Sequence, residues 1–403
     1  TSKAPTRREF RMSGGFILDA LLVLLLIGYV VYGIQVGFLR SLGAILGVVA
    51  GAIAAFFVMP LVGAIVPSPE WRPAAVIGSA VLLILVGHTL GVTVARMLSR
   101  GVDRGPIRVI DRVLGGAVGL VVSALTMAAV AASIAVLGIP FLTPAIASSN
   151  VLSTIDDLTP PPAKTFVAQL RSLVLNQGIP RIGEAIGTDP EVPEVDTGNA
   201  ALTTAARSVV RVTGAAYACG QNQTGTGFVI GPELVLTNAH VVAGVEEPLV
   251  ETADGQVRSG DIVYFDPNVD LAVVLFEGLD TTPLSFAPTL APGDSAVVSG
   301  FPFGGPFHSE PAGVLSVGPA NMPDIYGESE APRSVYTLAA KVEQGNSGGP
   351  LLTEEGAIAG VVFAKSAVTP DVGYALTMEE VAPVIAQAPA LTEPVDSGAC
   401  IRG

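Results

Sequence analysis

The sequence predicts a multidomain chain, with an all-α unit of four membrane-spanning helices followed by an all-β domain. Three observations predict it. Half of the 403 residues are apolar and the mean hydropathy is +0.60, too high for a chain wholly in water, and the surplus lies in about the first third. Beyond residue 208 the pattern changes to short apolar runs broken by Gly and Pro turns, the signature of sheets closed on themselves. Charge divides the same way. Residues 1–200 carry 14 Lys and Arg against 12 Asp and Glu, and the remainder carries 7 against 23. So acidic a half repels phosphate backbones, which excludes nucleic acid as a partner.

Four windows are long enough for a bilayer core, which needs about 20 apolar residues: 16–34, 38–59, 73–95 and 113–137. The first is not a cleavable signal peptide, because no small-residue cleavage site follows and a second span begins at once. Gly43, Gly47 and Gly51 recur every fourth residue, as do Gly115 and Gly119, a spacing that lets helix backbones approach closely in lipid. Asp19 lies near a span end and reaches the interface, while His88 inside the third span has two readings, a proton-binding or cavity-lining group and, the plainer one, a side chain hydrogen-bonded to neighbouring backbone. With Gly37-Phe38-Leu39-Arg40 after it, this quarter resembles the colicin V production protein family of four-span membrane proteins. Arg40 marks the first loop, and Arg96, Arg100, Arg104, Arg108 and Arg112 the third, as cytoplasmic. If Met12 is the start, only Arg72 opposes these six, and the β-rich half faces outward.

The expected domains are 1–137, spanning the membrane; 138–204, a connector; and 205–403, the β-rich domain. In the connector, Phe166, Leu170, Leu173 and Val174 after Pro160-Pro161-Pro162 suit one short helix of two to four turns. From Gly187 to Gly198 the chain is acidic and Pro-rich, and reads as an exposed linker open to cleavage. Strands are expected near 208–218, 224–230, 234–237, 256–265, 270–276, 294–300, 312–318, 334–342, 350–353, 357–364 and 373–377. Thr377-Met378-Glu379-Glu380 has the capping-box pattern and opens a last helix to about 388.

The chemistry centres on Gly345-Asn346-Ser347-Gly348-Gly349. Glycines around a serine let the main chain turn tightly and approach a substrate, and can present the N–H groups of Gly345 and Ser347 together as an oxyanion hole. The plainer reading is a Gly-rich hairpin with an incidental serine. A serine hydroxyl needs a base, and the base needs an orienting carboxylate. Of three histidines, His88, His240 and His308, His240 stands where an apolar run ends in small polar residues, in Thr237-Asn238-Ala239-His240. Asp270 follows thirty residues on, before Leu271-Ala272-Val273-Val274, and Ser347 seventy-seven after that. His, Asp, Ser is one of the known triad orders.

These motifs, with Thr224-Gly225-Thr226-Gly227-Phe228-Val229-Ile230 before them, resemble the trypsin-like serine proteases, in particular their Deg/HtrA branch, over residues 205–385. The resemblance implies a chymotrypsin-like double β-barrel, six strands each, with the triad in the cleft. It implies His240 as general base, Asp270 as its orienter, Ser347 as nucleophile and the Gly345 and Ser347 N–H groups as oxyanion hole. Digestive members have Asp where this chain has Asn346, so their zymogen switch is not expected. In this fold Lys341, Glu343 and Gln344 help wall the pocket for the side chain before the scissile bond; Lys341 favours an acidic residue unless Glu343 neutralises it.

Cys219 and Cys400 lack metal-site spacing. An outward-facing domain permits them a disulfide tying the C-terminal tail to the first strand region; the alternative is two free thiols. Only 56 residues follow Ser347, too few for a PDZ domain. Four spans, a connector and a protease without PDZ resemble the actinobacterial membrane-anchored serine proteases of acid resistance. That implies a plasma-membrane protein whose protease domain, on the outer side, cleaves envelope proteins or peptides under acid and oxidative stress without a cofactor or metal. One rival reading is a membrane sensor or transport component whose barrel domain binds peptides without cutting them. Another is a housekeeping protease with an incidental anchor.

Overall fold

The computed structural model describes residues 7–65, 72–99, 107–136, 142–175, 179–182, 190–216 and 221–401. The chain divides into two compact units, Asp19–Ala128 and Thr1–Leu18 with Ala129–Gly403.

The first unit is built on four long helices: α1 (Arg7–Val36), α2 (Phe38–Ile65), α3 (Arg72–Ser99) and α4 (Ile107–Val136). Each holds a stretch long and apolar enough to span a membrane: Gly15–Val36, Phe38–Ala55, Val81–Ser99 and Ile107–Ala131. Leu24, Leu82 and Val113 point outward, as side chains do when the surroundings are hydrocarbon. The glycine periodicity is a contact surface. A Cβ on Gly47 or Gly91 would collide with the carbonyl of Gly87 or Gly43 across the α2–α3 seam, and one on Gly115 would collide with the Gly33 carbonyl on α1. Gly37, at φ +87°, makes the tight joint between α1 and α2. Asp111 of α4 accepts the Leu39 N–H at 3.0 Å, satisfying one of the free donors at the start of α2. His88 is exposed on α3 and makes no hydrogen bond among the described residues, unlike the expectation. In the third loop, Arg100 and Arg104 lie outside those residues.

In the second unit the connector forms three helices where one was expected: α5 (Leu142–Ala147), α6 (Asn150–Leu158) and α7 (Pro161–Leu175), the last being the predicted one. Ser149 caps α6 by accepting the Leu152 N–H, a signal too short for periodicity to reveal. A two-residue strand, β1 (Arg181–Ile182), follows. Residues 190–196 have no regular structure, but they are not wholly exposed as expected: Glu191, Glu194 and Asp196 face water while Val195 packs against the core. Then α8 (Ala200–Ala205), capped by Asn199, buries Leu202 and Ala205.

The β-rich part runs β2 (Val209–Ala216), β3 (Gln221–Gly231), β4 (Leu234–Thr237), α9 (Ala239–Val242), β5 (Leu249–Glu251), β6 (Val257–Ser259), β7 (Asp261–Asp266), β8 (Leu271–Leu275), β9 (Ser295–Gly300), β10 (His308–Pro323), β11 (Glu330–Ala340), β12 (Pro350–Leu352), β13 (Ile358–Ser366), β14 (Val372–Thr377) and α10 (Met378–Gln387). One sheet has the order β6-β5-β2-β3-β4-β8-β7. Its two outer strands are halves of one run, expected as the single strand 256–265 and bent at Gly260, so the bend closes a barrel. The other sheet, β1-β13-β12-β9-β10-β11-β14, closes through a β13–β14 pairing, leaving β1 outside the ring. These are the two barrels of the expected chymotrypsin-like fold, six strands each. Strand alternation sorts the cores. Val210, Val212, Val229 and Val274 fill the first barrel, and Ala296, Val298, Leu338 and Val362 the second. Their neighbours Val209, Phe228, Val273, Val297, Val361 and Phe363 form a third cluster joining the two. Burial on both faces is why these strands read as continuous apolar runs. At α10, Thr377 accepts the Glu379 N–H, but the Glu380 carboxylate accepts from Ser334 N at 2.7 Å, so only half of the capping box forms.

The glycine seam predicts an asymmetry. Gly47→Ile should force α2 and α3 apart and destabilise the detergent-solubilised chain by about 1–3 kcal/mol, the usual cost of overpacking. Gly28→Ile, where a Cβ meets nothing within 4 Å, should leave the thermal melting followed by circular dichroism unchanged.

Candidate active site

The strand β4 ends in Thr237, whose hydroxyl donates to the Thr226 carbonyl at 2.7 Å and so ties the end of β4 to β3. The chain then turns into the one-turn helix α9, which carries His240, only 7% exposed. Asp270 stands at the start of β8 with φ +66°, a left-handed backbone that Asp and Asn tolerate better than other side chains. Its carbonyl accepts from the Asn238 side-chain amide at 2.7 Å. Its carboxylate receives His240 twice: the backbone N–H at 2.9 Å on Oδ1, and ring Nδ1 at 2.7 Å from Oδ2. A carboxylate oxygen accepts, so Nδ1 donates in this pair, and in the neutral tautomer so fixed Nε2 is the nitrogen with the lone pair.

Behind Asp270 lies a residue that the sequence reading missed. Arg333 of β11 is 3% exposed, donates to the carbonyls of Val269 and Pro323, and stacks over Phe363 with 5.8 Å to the ring centre. Burial pushes its guanidinium below the ordinary value, and Asp270 is the foremost of the carboxylates drawing it back up. Its only sequence signal is a lone Arg within a mostly apolar strand, Glu330–Ala340, far along the chain from Asp270.

Ser347 sits in the turn before β12, and its carbonyl accepts the Thr226 N–H at 2.8 Å. A Cβ on Gly225 would meet both the Val241 side chain at 2.5 Å and the Ser347 carbonyl oxygen at 2.9 Å, so α9 and the serine turn rest on the same glycine of β3. The Ser347 hydroxyl is buried and makes no hydrogen bond among the described residues. Around it, the Gln344 carbonyl accepts from Phe303 N, the Gly345 carbonyl from the Thr226 hydroxyl at 2.7 Å, and the Asn346 carbonyl from Gly349 N at 2.9 Å. Asn346 N and Gly348 N donate to Glu343 and Val362. The N–H groups of Gly345 and Ser347 donate to nothing among the described residues. Two such donors, two residues apart in a buried turn, can receive an anionic oxygen.

Of the expected pocket residues, Lys341 is exposed, and Glu343 pairs with Lys365 of β13 at 2.9 Å rather than with Lys341. Gln344 has a buried side-chain nitrogen without a partner among the described residues. Beyond Val362, which exchanges hydrogen bonds with Gly348 and Gly349, the same edge of β13 carries β1 in parallel: Lys365 N donates to the Pro180 carbonyl at 3.0 Å and Ala367 N to that of Ile182 at 2.8 Å. Cys400 is disulfide-bonded, while Cys219 lies outside the described residues. The tail before Cys400 is docked on the first barrel, with Gly244 N donating to Ser397 O and Val395 N to Ile262 O. Among the described residues, no group of three or more His, Cys, Asp or Glu is placed to hold a metal.

Residues 225–361 match the family model of the trypsin-like peptidase domain, and residues 18–160 that of the colicin V production protein. Serine protease Rv3671c of Mycobacterium tuberculosis is 38% identical over 269 residues, 65% of this chain and 67% of that protein. The putative serine protease HhoB of Synechocystis is 33% identical over 159 residues, 39% of this chain and 38% of the relative. A probable periplasmic DegP-like serine endoprotease of Ectopseudomonas mendocina is 34% identical over 161 residues, 38% of this chain and 33% of the relative. The crystal structure of the Rv3671c protease in its active form superposes with a TM-score of 0.51 at 37% identity, covering 55% of this chain and all of that one.

The turn itself is testable through Gly348, at φ +80°, where a Cβ would collide with the Thr226 carbonyl and the Thr237 hydroxyl. Gly348→Ala should lower the melting temperature well beyond Gly255→Ala, which shares the left-handed backbone, φ +77°, but meets nothing within 4 Å. The latter should cost about 1 kcal/mol for backbone strain alone.

Proposed function

The chain belongs to the family of membrane-anchored serine proteases that includes Rv3671c, and we propose that it cleaves proteins of the cell envelope outside the plasma membrane, with His240, Asp270 and Ser347 as its catalytic triad. It is a serine endopeptidase with membrane-spanning helices. One observation carries the triad: Asp270 grips His240 by both its backbone N–H and Nδ1, and Val241 beside it rests on the same glycine that supports Ser347. Among the described residues the Ser347 hydroxyl makes no hydrogen bond, so none of them holds it away from His240 Nε2.

In the reaction, Ser347 Oγ attacks the scissile carbonyl carbon while Nε2 removes its proton. The negative charge that builds on the carbonyl oxygen is taken by the N–H groups of Gly345 and Ser347. The imidazolium, stabilised by Asp270, then protonates the leaving amine, and a water activated by the same nitrogen releases the acyl group from Ser347. Arg333 lies behind Asp270, and its bond to the neighbouring Val269 carbonyl helps hold that carboxylate in place.

The outward orientation is supported by the arginines of the first and third loops and by the bonded state of Cys400, since structural disulfides persist in oxidising compartments. We assign its partner as Cys219, the one other cysteine in the sequence. A role in acid and oxidative stress follows from the family resemblance, and envelope proteins are the substrates within reach of a domain so placed.

Ser347→Ala should abolish cleavage of casein by the full-length protein in detergent, without changing its melting temperature. Asp270→Asn should keep the fold, because Asn accepts the left-handed backbone, yet lower kcat by about 10³–10⁴ through the wrong imidazole tautomer. Rates within tenfold of the unmutated protein for either variant would refute the triad. Alkaline phosphatase fused after Gly198 should be active and the same reporter fused after Arg104 silent; the reverse pattern would place the protease in the cytosol.

A further inference from the structure

An oxyanion hole fails easily, because a peptide plane can flip and turn its N–H away. The 344–345 peptide is the vulnerable one, since Gly345 has no side chain to resist rotation and sits at φ +94°. In a trans peptide the C=O and N–H point in opposite directions. Whatever holds the Gln344 carbonyl therefore aims the Gly345 N–H. The holder is the Phe303 N–H, in the tight turn Pro302–Gly304. Phe303 itself is at φ +58°, a left-handed backbone that a bulky residue adopts only when its surroundings force it.

Two side chains supply that force, both from the first barrel. Arg211 of β2 donates through Nη1 to the carbonyls of Gly304, at 3.0 Å, and Gly305, at 3.3 Å. Its other arm pairs with Glu251, and its plane lies over the Phe301 ring, 5.7 Å from the centre. Thr226 of β3 is fully buried. Its hydroxyl accepts the Phe301 N–H at 3.0 Å and donates to the Gly345 carbonyl at 2.7 Å, so it fastens the turn and the serine loop with one oxygen. Arg211 thus fixes the far side of the turn and Thr226 its near side, and Phe303 N–H is left facing Gln344.

We propose that Arg211 and Thr226 are positioning residues for the oxyanion hole: by holding the 301–305 turn they lock the 344–345 peptide with the Gly345 N–H toward the reacting oxygen. The inference rests on the triad reading above but makes a separate demand. Neither side chain bonds His240, Asp270 or the Ser347 hydroxyl, so their loss should leave the triad in place. The penalty therefore falls on the transition state, where charge sits on the oxygen, and not on binding of the intact peptide.

The test uses the full-length protein in detergent and a fluorogenic peptide taken from a mapped casein cleavage site. Arg211→Lys keeps the charge beside Glu251 but loses the fork onto two carbonyls. Thr226→Val keeps the volume but loses both hydrogen bonds, and Thr226→Ser restores them. The expected result is a fall in kcat of about 10–10²-fold for Arg211→Lys and Thr226→Val, in keeping with a misplacement of about 1 Å. KM should stay within twofold, and Thr226→Ser should stay near the parent rate. A peptide aldehyde of the same sequence, which forms the tetrahedral adduct, should lose affinity by the same factor as kcat/KM. The intact peptide should bind the same variants, made in a Ser347→Ala background, as tightly as before. Unchanged kcat in both variants would overturn the proposal, as would aldehyde affinity that does not follow kcat/KM, or a Thr226→Ser variant as impaired as Thr226→Val. If the unmutated protein cuts nothing, the triad reading fails instead, and this inference with it.

Discussion

A single threonine joins the two halves of the protease. Thr226 gives its N–H to Ser347, its hydroxyl proton to Gly345, its hydroxyl lone pair to Phe301 and its carbonyl to the Thr237 hydroxyl. The first two bonds cross from β3 of one barrel to the serine turn of the other, and the last keeps the β4 end, from which His240 departs, against the same strand. Thr226 and Thr237 are fully buried and their partners nearly so, and each bond is held by the cost of leaving a buried polar atom unpaired, about 1–3 kcal/mol apiece. The glycines at 225 and 227 on either side follow from that constraint. Side chains there would push Val241 and the Ser347 carbonyl, or Val235 and Val212, off the strand.

Around this seam the backbone carries strain. Asp270 and Phe303 both hold left-handed φ angles without being glycine, each worth of order 1–3 kcal/mol. In each case the strained residue aims something: a carboxylate at His240, an N–H at Gln344. The apolar cluster between the barrels, with Phe228, Val273, Val361 and Phe363, is large enough to support such costs. Strain and burial are thus two sides of one arrangement, in which the interface that holds the barrels together also holds the reacting groups in place.

Much of this was legible in the chain. Thr237-Asn238-Ala239-His240, Asp270 before its strand, and the glycine-flanked Ser347 each carry their chemistry within a few residues, so local reading finds them. The strands were legible because doubly buried strands are apolar throughout, and the spans because lipid demands length. What stayed hidden is what depends on pairing across distance. Arg333 and Arg211 look like ordinary strand charges until the fold places them behind Asp270 and over Phe301. Gly43, Gly47 and Gly51 announce a seam, but nothing local says that Gly87 and Gly91 are its other side. The short strands β1 and β5 lack the length for periodicity to register. Glu343 was read against its neighbour Lys341, whereas the sheet brings it Lys365.

The two-residue strand β1 has a consequence of its own. Peptides recognised by strand addition need a sheet edge with unpaired amides, and such an edge, left bare, also recruits other chains into aggregates. On β13 that edge begins where the serine turn ends, and here the connector occupies it through the Lys365 and Ala367 amides. Two exposed-edge hydrogen bonds amount to about 1–3 kcal/mol in water. A cover of that strength keeps the edge quiet against chance encounters, and an incoming chain must offset the freedom it loses on association as well as replace both bonds.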